Sequence, residues 1–148
     1  MSSYNHILVA IDLSDEANEV LEKATFIADI NRAKVTVVHV IEPLRVVYGS
    51  DIPLDLSLLQ DEITQQVQQR MTQLANKIQL NQGKQHIVYG RPDSEVHRIA
   101  KEQGVDLIVV GSHGRHGLAL ILGSTSTSII HGSGCDVLAV RVGKKDKA

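Results

Sequence analysis

Five short runs rich in valine and isoleucine recur along the chain, and longer segments with apolar residues at helical spacing separate them. Short runs that are apolar throughout are typical of strands buried on both faces, as strands are in parallel sheets. Strands that alternate with helices form right-handed βαβ units, so the sequence predicts an α/β fold: a parallel sheet with helices on both faces. The predicted strands are 6–12, 34–42, 85–90, 105–111 and 135–142.

The segments between these runs predict helices. The first begins after Ser14, its predicted N-cap, has Asp15 and Glu16 in its first turn and ends near Asn31. A longer helix covers 57–80. A third covers 92–103, because proline suits the first turn of a helix and glycine commonly ends one. A short helix begins at about Ser124.

Composition limits the function. The 148 residues suit one domain, which we expect to span 1–148 with an ordered core over 5–142. The net charge is −2 and aromatic residues make up 3% of the chain. This balance argues against nucleic acid as a partner, because phosphate neutralisation requires clustered cations and base stacking requires aromatic rings.

Cysteine usage and hydropathy indicate the compartment. The single cysteine, Cys135, cannot form an internal disulfide, which fits a reducing environment. The start, "MSSYNH", has no signal-peptide pattern, and no apolar run has the length of a membrane span. We therefore expect a cytoplasmic protein without a membrane partner.

Two turns at the carboxyl edge of the predicted sheet form the candidate site. Asp12 ends the first run and Gly111 ends the fourth, and parallel sheets bind ligands at this edge where the strand order reverses. The segment "GSHGRHGLALILGSTS" (111–126) combines glycines with a helix start rich in serine and threonine. It matches neither the Walker loop nor the dinucleotide fingerprint. It predicts either a phosphate-binding loop or ordinary turns and helix caps.

The sequence offers no acid–base pair or activated nucleophile. We expect His39 in the core and His97 at a helix surface. His113 and His116 lack the neighbouring acids or cysteines that a metal site requires. We predict no catalytic residue and no metal ligand. Whether the protein is an enzyme stays open, with slow, incidental ATP hydrolysis as the upper limit.

Four blocks in this order resemble the universal stress protein family over most of the chain: "HILVAIDLSDEA", "VTVVHVIEP", "VDLIVVGSHGR" and "CDVLAVRV". The resemblance implies a Rossmann-like, adenine nucleotide alpha hydrolase-like sheet of five parallel strands in the order 3-2-1-4-5. It also implies a cytoplasmic homodimer linked to stress. Because an open valine-rich edge invites pairing with a second chain, we expect the dimer to form through Cys135 to Val142.

The family has an ATP-binding branch, and a branch that resembles universal stress protein A and lacks the glycines. This chain is intermediate, because the interval between Gly114 and Gly123 is one residue shorter than in the ATP-binding branch. In addition, "YGSDIPLDLSLLQDEITQQ" resembles the second branch. The nucleotide contacts that the resemblance implies are Ala10, Ile11, Asp12 and Val40 at the adenine, Val110, Gly111 and Gly114 at the ribose and α-phosphate, and Gly123, Ser124, Thr125 and Ser126 at the phosphates.

The resemblance therefore implies a non-catalytic homodimer that binds ATP, with Mg²⁺ as a companion ion, or a related adenine nucleotide. The alternative is a homodimeric stress-response interaction protein without nucleotide. The residues leave two roles open for Asp12, a turn residue and a ligand contact.

Overall fold

The computed structural model describes residues 3–42, 56–78, 84–112 and 124–142. Its five strands are all parallel, and their order in the sheet is β3-β2-β1-β4-β5. The predicted α/β fold and strand order are confirmed. The elements are β1 (His6–Ala10), α1 (Ala17–Asn31), β2 (Lys34–Ile41), α2 (Leu56–Ile78), β3 (Lys84–Tyr89), α3 (Pro92–Gln103), β4 (Leu107–Gly111), α4 (Ser124–His131) and β5 (Asp136–Val140).

Alternate residues of the central strands enter two separate cores. In β1, Ile7 and Val9 pack with α1 and α2, whereas Leu8 packs with α3 and α4. All three side chains are fully buried. Successive strand residues point to opposite faces, so a strand covered on both sides must be apolar throughout. This requirement explains the continuous runs in the sequence.

Helix α2 is amphipathic. Val67, Met71 and Leu74 are buried, while the neighbouring Gln68 and Gln69 are exposed. This spacing places one stripe against the sheet and leaves the opposite face in water. Among the helices of the described ranges, none has the length and apolar character needed to cross a membrane.

The start of α1 corrects the sequence-based prediction. Ser14 is not the N-cap: α1 begins at Ala17, and Glu16 occupies the cap position without a side-chain cap bond. The Ser14 hydroxyl instead donates to Asp12 Oδ1 at 2.6 Å. Strand β1 also ends earlier than predicted, at Ala10. The intervening turn is therefore stabilised by its own side chains.

A satisfied polar network closes the amino-terminal edge of the sheet. His6 is buried, its Nδ1 donates to the Gln103 carbonyl at 3.2 Å, and its Nε2 accepts from the Thr36 hydroxyl at 2.7 Å. Burial lowers the pKa of His6, which favours this neutral ring. The Asp106 carboxylate accepts from the backbone N–H groups of Asn5 and His6. These bonds join β1 to its neighbours.

Candidate functional site

A cavity of about 450 Å³ opens at the carboxyl edge of the sheet. It lies where the strand order reverses, because β1 and β4 are adjacent while α1 and α4 pack on opposite faces. Ligands of open α/β sheets bind at such a point. Its wall combines the ends of β1, β2 and β4 with the starts of α1, α3 and α4.

The structure brings most of the sequence-predicted contact residues to this one cavity. Gly114 and Gly123 lie outside the described residues. The roles of all these residues toward a nucleotide stay a prediction. Nine of the predicted contact residues line the cavity: Ala10, Ile11, Asp12, Val40, Val110, Gly111, Ser124, Thr125 and Ser126.

Asp12 is both a turn residue and part of the cavity wall. Its Oδ1 accepts from the backbone N–H of Ser14 at 3.0 Å and from the Ser14 hydroxyl. Neither bond uses Oδ2, and the side chain is exposed. The two roles that the sequence left open are therefore compatible with each other.

The start of α4 forms the opposite wall. Ser124 and Thr125 are exposed there and line the cavity. The first backbone N–H groups of a helix have no partner within it, and such helix starts are suited to anions. Ser126 is buried, and its hydroxyl donates to the Gly111 carbonyl at 2.5 Å. Ser126 therefore holds α4 against the end of β4, and its proton is already used within the protein.

His39 belongs to the cavity wall as well as to the core. The ring is half-buried, and Nδ1 donates to the Ile11 carbonyl at 2.8 Å. Because this bond spans the turn after β1, His39 fixes Ile11 and Asp12 against β2. Sequence reasoning placed His39 in the core and missed its position beside the cavity.

Two carboxylates of the wall were also missed. Glu42 directly follows β2 and Glu16 directly precedes α1, and both line the cavity together with Asp12. None of the described lining residues is a lysine or arginine. Glu42 could have been predicted from the sequence, because it directly follows a parallel strand and ligands bind at that edge of the sheet.

His97 lies on α3 and bonds to α4. The prediction that His97 lies at the helix surface is therefore wrong. The ring is half-buried, and Nε2 donates to the Ile129 carbonyl at 2.7 Å. A Cβ atom on Gly132 would lie 2.7 Å from His97 Cε1, so the ring packs directly against that glycine. His97 and Gly132 therefore help to place α4 in the cavity wall.

We expect Gly132→Ala to lower the free energy of unfolding by about 1–2 kcal/mol, because the new methyl group displaces the His97 ring from the Ile129 carbonyl. Gly134→Ala is the matched control, since a Cβ there meets nothing within 4 Å. Urea denaturation measures both variants. Equal stability of the two variants would show that the ring is not held against Gly132.

Within the described part of the chain, metal-ligating side chains and the cysteine bear on catalysis. This part contains no group of three or more His, Cys, Asp or Glu side chains placed to hold a metal ion. Burial raises the pKa of the Cys135 thiol, which disfavours the thiolate that a nucleophile requires.

The sheet and its cavity define a doubly wound α/β protein with a cavity at the switch point, the position at which such sheets bind ligands. The chain belongs to the universal stress protein family, whose model matches residues 3–141. Universal stress protein A homolog 1 of Coxiella burnetii is 40% identical over 138 residues, which cover 93% of this chain and 96% of the relative. The family resemblance in the sequence is thus confirmed.

Solved structures agree with this fold. The universal stress protein UspA from Lactobacillus plantarum is 28% identical with a TM-score of 0.81, over 95% of this chain and 100% of that one. A universal stress protein solved in complex with cAMP is 24% identical with a TM-score of 0.61, over 94% of this chain and 98% of that one. At that identity the second likeness shows the fold alone.

Proposed function

We propose that this universal stress protein is a cytoplasmic, non-catalytic homodimer that binds an adenine nucleotide and acts in the stress response. In this proposal, residues 1–148 form one domain. The observation that carries the proposal is the convergence of two segments distant in the sequence, 10–12 at the end of β1 and 124–126 at the start of α4, on one cavity. The cAMP complex of a protein with this fold adds support, because it shows an adenine nucleotide bound to such a chain.

The β1–β2 side of the cavity suits an adenine and its ribose. Ala10, Ile11 and Val40 supply apolar surface for a flat base. Asp12 and Glu42 supply carboxylate oxygens, which accept from an exocyclic amine or from sugar hydroxyls. Small-molecule sites commonly combine apolar walls with a few such polar groups, and about 450 Å³ lies within their usual range of volumes.

The α4 side suits a phosphate. The backbone N–H groups at the start of α4 lack helical partners, and the helix dipole places partial positive charge there. The exposed Ser124 and Thr125 add hydroxyl donors. A nucleotide lying across the cavity would therefore meet acceptors at its base and sugar and donors at its phosphate.

Mg²⁺ fits this site only as a companion of the nucleotide. The described residues form no preassembled metal site. Asp12, Glu16 and Glu42 are oxygen donors of the type that Mg²⁺ accepts, and this ion is commonly held by one or two carboxylates together with substrate phosphates.

The homodimer is proposed to form along β5, which is an edge strand of the sheet. Pairing of two β5 strands about a twofold axis would satisfy their outward backbone groups.

The alternative function, an interaction protein without nucleotide, is favoured by one observation. Phe26 and Ile30 are 61% and 68% exposed, and they lie one turn apart on α1. Two large apolar side chains on the same helix face are suited to a protein partner.

Titration calorimetry of the full chain with AMP and with ATP plus Mg²⁺ tests the proposal. We expect saturable binding of at least one of them with a Kd on the order of 1–100 μM. Mass spectrometry of freshly purified, unheated protein serves as the independent measurement, since co-purified nucleotide would be released and identified. No heat at millimolar ligand together with no co-purified nucleotide would favour the interaction protein instead.

A further inference from the structure

We infer that the His6 network, formed by His6, Thr36 and Gln103, is an acid-sensitive element of the fold. It joins β1, β2 and α3 while the His6 ring is neutral, and protonation of the ring breaks it. The network lies at the amino-terminal edge of the sheet, whereas the cavity lies at the carboxyl edge. The inference therefore does not depend on the proposed nucleotide site.

The His6 ring uses both of its nitrogens. Nδ1 lies 3.2 Å from the Gln103 carbonyl at the end of α3, and Nε2 lies 2.7 Å from the Thr36 hydroxyl on β2. A carbonyl oxygen can only accept, so Nδ1 carries the proton of the neutral ring and Nε2 is an acceptor. His6 and Thr36 are 6% and 2% exposed. One tautomer of the neutral ring therefore satisfies both bonds inside the protein.

Protonation of the ring would disrupt this arrangement at Nε2. The added proton makes Nε2 a donor that faces the Thr36 hydroxyl, which until then donated to the same nitrogen. Thr36 would have to turn its proton towards another acceptor within a buried site. The imidazolium would also lose much of its hydration, which is costly for a buried charge. Both effects favour the neutral ring in the folded protein.

The charged groups near the ring act in opposite directions. Lys34 on β2 and Lys84 on β3 disfavour a positive ring, whereas Asp106, which precedes β4, favours one. The Asp106 carboxylate also accepts from the backbone N–H groups of Asn5 and His6. Burial has the largest influence, and the pKa of His6 is lowered overall.

The other titratable neighbours lie on β3 and α3. His86 on β3 accepts from the Gln103 side-chain amide through Nε2 at 3.2 Å. Lys101 and Glu102 precede Gln103 on α3, and both are exposed. The segments 1–2 and 79–83, outside the described residues, contain no charged side chain. Gln103 is therefore held from β1 by its carbonyl and from β3 by its side chain.

The direction of the pH effect follows from the lowered pKa of His6. Above the ordinary pKa of 6.5, the ring is neutral in both the folded and the unfolded chain, and the network contributes fully to stability. As the pH falls below that value, the unfolded chain takes up the proton more readily than the folded chain. The stability that His6 contributes is therefore lost towards acid pH.

Urea denaturation of the full chain and of His6→Asn, at about pH 7.5 and about pH 5.5, tests the inference. Asparagine keeps an N–H donor near the position of Nδ1 and carries no charge at either pH. Between the two pH values, we expect the unfolding constant of the native chain to rise about three- to tenfold more than that of the variant. An equal rise in both proteins would overturn the inference.

His131→Gln is the matched control, because His131 is an exposed histidine at the end of α4. It should keep the native pH dependence, and a loss of pH dependence as large as that of His6→Asn would overturn the inference. An NMR titration of the native chain needs no variant, so it decides the matter if His6→Asn does not fold. The His6 ring should titrate below the ordinary pKa of 6.5, and a midpoint at or above that value would overturn the inference.

Discussion

Thr125→Asp is expected to abolish adenine nucleotide binding while the protein stays as stable as the native chain. Thr125 is exposed in the first turn of α4 and lines the cavity. A carboxylate in the first turn of a helix interacts favourably with the dipole, by about 0.3–1 kcal/mol. The same carboxylate places a negative charge where the phosphate would bind. We expect the affinity for AMP to fall by at least about 100-fold, equivalent to about 2.7 kcal/mol.

The control for this variant lies on the same helix. Ser128 is exposed, lies about one turn beyond Thr125 and does not line the cavity. Ser128→Asp therefore introduces the same charge away from the proposed phosphate position, and it should bind AMP as the native chain does. Calorimetry measures the affinity and thermal denaturation measures the stability. Native affinity in Thr125→Asp would exclude the start of α4 as the phosphate site.

The fold could be predicted because its signals are local. Helix α3 spans Pro92–Gln103 as predicted, with proline in its first turn and Gly104 in the left-handed conformation at φ 67° as its C-cap. The end of β1 was harder to place, because Ile11 continues the apolar run after the strand has ended. Asp12 and Ser14 form the turn there, and their mutual hydrogen bonds are not visible in hydropathy.

The site could be predicted only in part, because its members meet through long-range packing. Residues at 10–12 and 124–126 converge because β1 and β4 are neighbours, and that adjacency came from the family resemblance rather than from any local pattern. His97 shows the opposite case. A histidine on an amphipathic helix looks like a surface residue, and only the packing of α3 against α4 places its ring on the Ile129 carbonyl.

The geometry of β5 sharpens the test of the proposed dimer. The Ser112 N–H donates to the Val140 carbonyl at 2.7 Å, so the backbone groups of Val140 face β4. Strand residues alternate in direction, so the groups of Leu138 also face β4, whereas those of Val137 and Ala139 face outward. A proline at 138 would therefore disrupt the sheet itself, while a proline at 139 removes only an outward N–H group.

If β5 forms the proposed dimer, Ala139→Pro is expected to give a folded monomer. Proline is tolerated in an edge strand when its missing N–H faces away from the sheet. In a symmetric pair of β5 strands each chain carries the substitution. We therefore expect the free energy of association to weaken by about 2–4 kcal/mol, which raises the dimer dissociation constant about 30- to 1,000-fold.

The control Ala139→Ser keeps the N–H group and should remain dimeric. Light scattering coupled to size-exclusion chromatography reports the mass, and circular dichroism reports the fold. A folded Ala139→Pro variant with the native dimer mass would exclude β5 pairing as the interface, since no continuous ladder between two β5 strands can form without that N–H group.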